Sequence, residues 1–162
     1  MVAGQGPGRE MSRDATGRFS DRVEAYVRYR PGYPADLIST LVAEAQLGPD
    51  SVVADVGSGT GIFTALLLPD TGTVHAIEPN APMRTWAEST MGAEPKFHSH
   101  GTPAEATGLP DASVDLVTAA QAFHWFDPVA TRREFARILK PGGQVALIWN
   151  ERLTDTTPFL RA

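Results

Sequence analysis

The chain of 162 residues predicts an α/β fold, a doubly wound, mostly parallel sheet with helices on both faces. Three observations carry this expectation. From residue 51 onward, short apolar runs alternate with stretches of helical period. The runs are nearly continuous in apolar residues, as strands covered on both faces must be. The first of them, VADVGSGTGI from Val53 to Ile62, leaves its strand through a turn rich in glycine.

The elements follow in order. Residues 1–17 have no apolar period and read as a disordered arm, with one domain expected over 18–162. Phe19, Val23, Tyr26, Val27 and Arg30 recur at helical steps, so a helix is expected over 20–30, closed by Pro31. Leu37, Leu41 and Ala45 give a second helix over 35–46. Strands are expected over 51–56, 73–78, 96–100, 114–120 and 143–150, with helices over 63–68, 81–91 and 128–139 between them. Only twelve residues follow Asn150, too few for another helix and strand, so the domain reads as incomplete at its C-terminus. The last strand, GQVALIWN, is apolar enough to want neighbours on both sides. Left at an edge it is expected to promote self-association.

Composition narrows the function. With no cysteine, disulfides, thiolate metal sites and cysteine nucleophiles are excluded. His98 and His100 alternate on a predicted strand without an acidic cluster, so no metal site is expected. A net charge of −5 and only two lysines, Lys96 and Lys140, leave no basic stripe for nucleic acid. Arg132, Arg133 and Arg137 read as a solvated helix face. No run nears the roughly 20 apolar residues that cross a bilayer, and no signal-peptide core is present, so a cytoplasmic protein without membrane contact is expected.

The chemistry centres on the glycine turn. Gly57, Gly59 and Gly61 are spaced G-x-G-x-G, with Asp55 two residues before the first. The dinucleotide fingerprint is G-x-G-x-x-G, so the third glycine arrives one residue early. That spacing, with the acid, points to S-adenosylmethionine (SAM) rather than a nicotinamide cofactor. The turn is expected to present bare N–H groups, and Asp55 to receive the ammonium group or hold a water. Glu78 lies 23 residues after Asp55 at a strand end, where a carboxylate can grip both ribose hydroxyls.

Four segments together, VADVGSGTG, VHAIEPNAPM, AEATGLPDASVDLVTAAQAFHWFD and FARILKPGGQVALIWNE, resemble the class I SAM-dependent methyltransferases, most closely the small-molecule group called type 11. The likeness runs from about Phe19 to Glu151. It implies a Rossmann-like sheet, here lacking the C-terminal strand hairpin of the full family. It implies that Asp55, Gly57, Ser58, Gly59 and Gly61 bind the methionine part of SAM. Glu78 would hold the ribose, with Pro79, Asn80 and Met83 packed beside ribose or adenine. Ala104 and Glu105 would address the adenine edge, although Pro103 stands where the family often has an acid or small polar residue. Ala119, Ala120 and Gln121 would meet the methionyl ammonium.

On the acceptor side the resemblance implies Phe123 and Trp125 at the substrate, and a lid from Tyr29, Arg30 and Tyr33. His124 is the one candidate for a general base. The implied activity is methyl transfer to a small-molecule acceptor by in-line displacement. Two alternatives stay open. One is a catalytically incomplete SAM-binding fragment, or a subunit completed by another chain. The other is a nicotinamide-dependent oxidoreductase, against which the position of Gly61 and the lack of a Tyr-x-x-x-Lys pair both argue.

Overall fold

The computed structural model describes residues 32–150, and the account below concerns the unit that begins at Tyr33. The predicted arm and the helix over 20–30, with Tyr29 and Arg30, lie outside the described residues. Helix α1 spans Ala35–Glu44. It stops short of the expected 46 because Gln46 turns to a left-handed φ of 51°, and Leu47 N–H returns to the Val42 carbonyl at 2.9 Å. Strand β1 is Val52–Val56, followed by a short helix α2, Ile62–Leu67. Pro69 tightens the next residues, Leu68–Asp70, into a 3-10 turn. Strand β2 is Thr73–Ile77 and helix α3 is Ala81–Met91. The Asn80 side chain caps α3 by accepting from Met83 N–H at 3.2 Å. Strands β3, Phe97–His100, and β4, Val114–Ala120, precede helix α4, Pro128–Ile138. Asp127 caps α4, accepting from Val129 and Ala130 N–H at 2.9 Å.

The strand β5 departs from expectation. It begins at Leu139, directly after α4, and runs to Ile148, rather than starting after a loop at Gly143. Lys-Pro-Gly-Gly reads as a turn in sequence, but here it is absorbed as an irregularity within the strand. Pairing passes from Val114↔Leu139 to Leu116↔Gln144, so β5 carries the extra residues, with Gly142 at φ 85°.

All five strands are parallel in the order β3-β2-β1-β4-β5. Successive residues of β1 face opposite sides. Val53 packs with Ile38 of α1, Phe63 and Leu67 of α2 and Ala87 of α3. Ala54 and Val56 pack with Phe135 and Ile138 of α4 and with Ala104 and Leu109. The sheet is therefore covered on both faces, as expected. Its order reverses beside β1, and in such sheets ligands lie beyond the carboxyl ends of the strands at that point.

At the far edge, three imidazoles gather on β2 and β3. His75 Nδ1 lies 3.0 Å from His100 Nε2, and the His98 ring is centred 5.4 Å from that of His75. Burial, and then the other two rings, pull His75 down to about 4. The unfolded chain therefore takes up this proton first, and the folded state loses stability as pH falls from about 6.5 toward 4. Replacing His75→Gln removes that penalty. Thermal melts at pH 7.5 and 4.5 should show the variant gaining about 1–2 kcal/mol on the parent upon acidification, allowing for partial exposure. An unchanged difference would mean that the cluster titrates no differently in the two states.

Candidate functional site

The turn after β1 folds back onto the end of β2. Gly57 and Ser58 N–H both donate to the Ile77 carbonyl, at 2.8 and 3.1 Å. Gly59 N–H donates to Glu78 Oε2 at 2.8 Å, and Gly61 N–H to the Ser58 carbonyl at 2.9 Å. At these four residues the donors are engaged rather than bare, against expectation. The backbone satisfies its own donors because a buried, unpaired N–H is costly. What the glycines provide is shape. Gly57, at φ 71°, packs so that a Cβ there would strike Ala122 and approach Phe126, and one on Gly61, at φ 82°, would strike Met91. Gly59 has only Met83 Sδ near, at 3.9 Å from its missing Cβ, so it leaves the upper surface of the loop open.

Glu78 is 8% exposed and occupies the end of β2. While Oε2 takes Gly59 N–H, Oε1 takes Asn80 N–H at 2.8 Å, so each oxygen keeps lone pairs for a further donor. Pro79 and Asn80 are exposed beside it, and Met83 is half-buried against the loop. Arg84 Nη1 donates to the Glu78 carbonyl at 2.9 Å, fixing the backbone from α3.

Asp55 takes a different place from the one expected. It is 1% exposed beneath the loop, with Oδ2 accepting from Thr64 at 2.6 Å and Oδ1 from Thr118 at 2.9 Å. Its carboxylate thus braces α2 and β4 against β1 in this conformation and does not lie open to a ligand. Burial is the main cause that pushes its carboxyl up to about 6. The two threonine hydroxyls oppose that rise, and the charge of Glu78 adds to it. The sequence reading missed both threonines. In a buried strand, Thr118 reads as a β-branched filler; its register opposite Asp55 was the available signal.

Two buried polar atoms around the loop lack a partner within the described residues: Ser58 Oγ and Gln121 Nε2. Gln121 follows β4 with φ 58°, a left-handed conformation that a residue with Cβ rarely adopts, and its N–H is tied to the Ile148 carbonyl at 2.8 Å. Ala119 and Ala120 are buried just before it. These orphans, one in the turn after β1 and one just after β4, fit a ligand with a polar, amino-acid-like end.

Beyond Gln121, a 3-10 turn, Phe123–Trp125, carries the aromatic triplet. Phe123 meets Phe126 edge-on at 5.9 Å and Trp149 at 6.5 Å; His124 leans on Trp125 at 4.9 Å. His124 is exposed, and Trp125 is 80% exposed. Trp149, not singled out in sequence as a site residue, joins this cluster from just beyond the end of β5. Tyr33 packs edge-on against Phe63 at 4.9 Å, over the first turn of α2.

The loop after β3 is pinned from two sides. Ala104 is buried in the core, and Glu105 Oε1 accepts from Asp127 N–H at 2.8 Å, so its carboxylate is drawn to the start of α4. Glu134, another residue the sequence reading missed, accepts from Thr107 N–H at 2.8 Å and from its hydroxyl at 2.6 Å. Arg137, and next Thr107, hold Glu134 down at about 2 against the opposing effect of burial.

The raised Asp55 gives a stability prediction. Between about pH 4 and 6 the folded chain keeps a proton that the unfolded chain has released, so this group's contribution falls as pH rises. Above pH 6 its ionised form opposes folding by roughly 2–3 kcal/mol. Asp55→Asn can still accept from one threonine and donate to the other. Its melting temperature should exceed the parent's by several degrees at pH 7.5 and match it near pH 4. A lower value at pH 7.5 would show that the ionised carboxylate is a net stabiliser.

A family described as "Methyltransferase domain" matches residues 54–147. An uncharacterised methyltransferase of Mycobacterium tuberculosis is 39% identical over 140 residues, covering 86% of this chain and 55% of the relative. The chain spans about half the length of several curated relatives that it matches. Among solved structures, a candidate type II methyltransferase of Anaeromyxobacter dehalogenans is 34% identical with a TM-score of 0.67, covering 76% of this chain and 50% of that one. A SAM-dependent methyltransferase from Aquifex aeolicus, 22% identical, shares the fold with a TM-score of 0.66 over 88% of this chain and 77% of its own. With the matched span running from β1 into β5 and so containing the glycine loop, Glu78 and Gln121, this chain belongs to the class I SAM-dependent methyltransferases.

Proposed function

We propose that the chain binds SAM in the crevice above β1 and transfers its methyl group to a small-molecule acceptor. The observation that carries this reading is the polar balance of the crevice. The N–H groups of Gly57, Ser58, Gly59 and Gly61 are engaged internally, so four donors of the turn are withdrawn from any phosphate cradle. Two carboxylates, Asp55 and Glu78, stand close enough that the charge of Glu78 adds to the cost of ionising Asp55. A negative crevice favours a cation and disfavours a pyrophosphate. That balance argues against the nicotinamide alternative as well.

When bound, SAM supplies a methyl group already activated on a sulfonium. The protein's share is then position, alignment and exclusion of water. Glu78 retains lone pairs to accept from two ribose hydroxyls. Ser58 Oγ and Gln121 Nε2 address the amino-acid end, while Gly59 permits close approach. Pro79, Asn80 and Met83 flank the sugar and base, and Ala104 and Glu105 bound the base from the loop after β3. Phe123, Trp125 and Tyr33 wall the acceptor side, with Tyr29 and Arg30 assigned to the lid by resemblance alone. His124 is the one candidate to take a proton from an acceptor that carries one.

One observation favours a second reading, a SAM-binding subunit completed by another chain. Val145 and Leu147 are exposed along β5 and Trp149 just beyond it, and an apolar groove of about 340 Å³ runs between β5 and α4, lined by Phe135, Leu139, Val145 and Leu147 among others. Such a flank can pack a further segment or a second copy through the edge of β5. Size-exclusion chromatography with a methylation assay separates the two: a monomer that methylates an acceptor excludes the second reading.

Calorimetry tests the first. The parent should bind SAM and S-adenosylhomocysteine saturably, and Glu78→Ala should weaken both by about 100-fold, since a charged acceptor loses its hydrogen bonds. Saturable binding that ignores Glu78→Ala, or no binding by the parent, overturns the assignment.

A further inference from the structure

Asp55 is an acid almost fully withdrawn from water, yet both its oxygens are supplied with hydroxyl donors from two different elements. A hydroxyl can donate to a carboxylate or accept from a carboxylic acid. Here Thr64 at 2.6 Å and Thr118 at 2.9 Å each approach a different oxygen. A protonated acid needs one of those oxygens as a donor, and so can keep only one of the two bonds as drawn. The pair therefore favours the charged form.

We propose that Thr64 and Thr118 are positioning residues that favour the carboxylate form of buried Asp55 beneath the glycine loop, so that a cationic ligand binds that form and, in mildly acidic solution, expels the proton. This deepens the SAM reading and rests on it. The groups around Asp55 fit the assignment. From α2 comes Thr64 and no titratable side chain; from β4 comes Thr118, paired in register with Asp55. From the end of β2 comes Glu78, whose negative charge works against ionisation. Arg84 of α3 reaches the Glu78 carbonyl. His75, also on β2, is paired in register with Ala54, the neighbour of Asp55. The net of these is an acid poised between its forms, which added positive charge overhead would tip toward carboxylate.

The test measures SAM affinity of the parent, Thr118→Val, Thr64→Val and Thr118→Ser from pH 5 to 8.5, by calorimetry in two buffers of different ionisation enthalpy. In the parent, affinity should rise with pH through a midpoint near 6, by up to tenfold per unit below it, with net proton release on binding. Each valine variant should move the midpoint upward by about one pH unit, the effect of losing one hydrogen bond to a charged acceptor. Thr118→Ser should restore it. Asp55→Asn should bind without this pH dependence, and melting curves at each pH confirm that the variants are folded. A parent that binds SAM with one affinity across the range, or valine variants that keep the parent's midpoint, overturns the proposal and leaves the SAM reading standing. Absence of binding at every pH removes the SAM reading itself.

Discussion

The fold-back of the loop after β1 onto the end of β2 is the constraint from which the rest of the site follows. One carbonyl, that of Ile77, receives the N–H groups of Gly57 and Ser58, and one carboxylate, that of Glu78, receives Gly59. Three successive donors are thereby tied to a neighbouring strand. The chain can follow that path only with positive φ at alternate residues, which is why glycine stands at 57, 59 and 61. The same path brings Glu78 over the crevice and leaves Ser58 and Gln121 facing inward with polar atoms unmatched.

The loop is best understood as a shaped floor with an electrostatic bias, rather than as a set of waiting donors. The bias comes from below and from one side. Asp55 lies under the floor, held by two threonines, and Glu78 stands at its rim. Burying a carboxylate this completely opposes folding at neutral pH, and functional sites are where such penalties persist. Elsewhere the sheet obeys ordinary economy. Asp115 on β4 accepts Val52 N–H and pairs with Lys140 at the open, solvated end of the strands, where charge is cheaply held.

Much of this was legible in the sequence, and the misses have physical causes. The bounds of α3 and β4 were read correctly because Asn80 and Pro82 mark a helix start, and because a short, mostly apolar stretch between turn signals is of strand length. The start of β5 was missed because Lys-Pro-Gly-Gly is turn chemistry unless a neighbouring strand accepts the extra residues, and pairing is not a local property. Glycine spacing and an acid at the second strand end located the crevice. The state of the donors within it was not legible, since that depends on which carbonyl the loop reaches. Thr64, Thr118 and Glu134 escaped for a related reason: each matters through a partner 9, 63 or 27 residues away.

Asp55 and His75 lie two elements apart yet bias the molecule in contrary senses across the same acid interval. Burial raises the acid and lowers the base, so on mild acidification the first gives the folded chain a proton advantage while the second hands one to the unfolded chain. Their slopes offset. In mildly acidic solution the pH dependence of folding is thus shallower than either strongly perturbed group alone would impose, because opposed proton affinities sit on neighbouring strands.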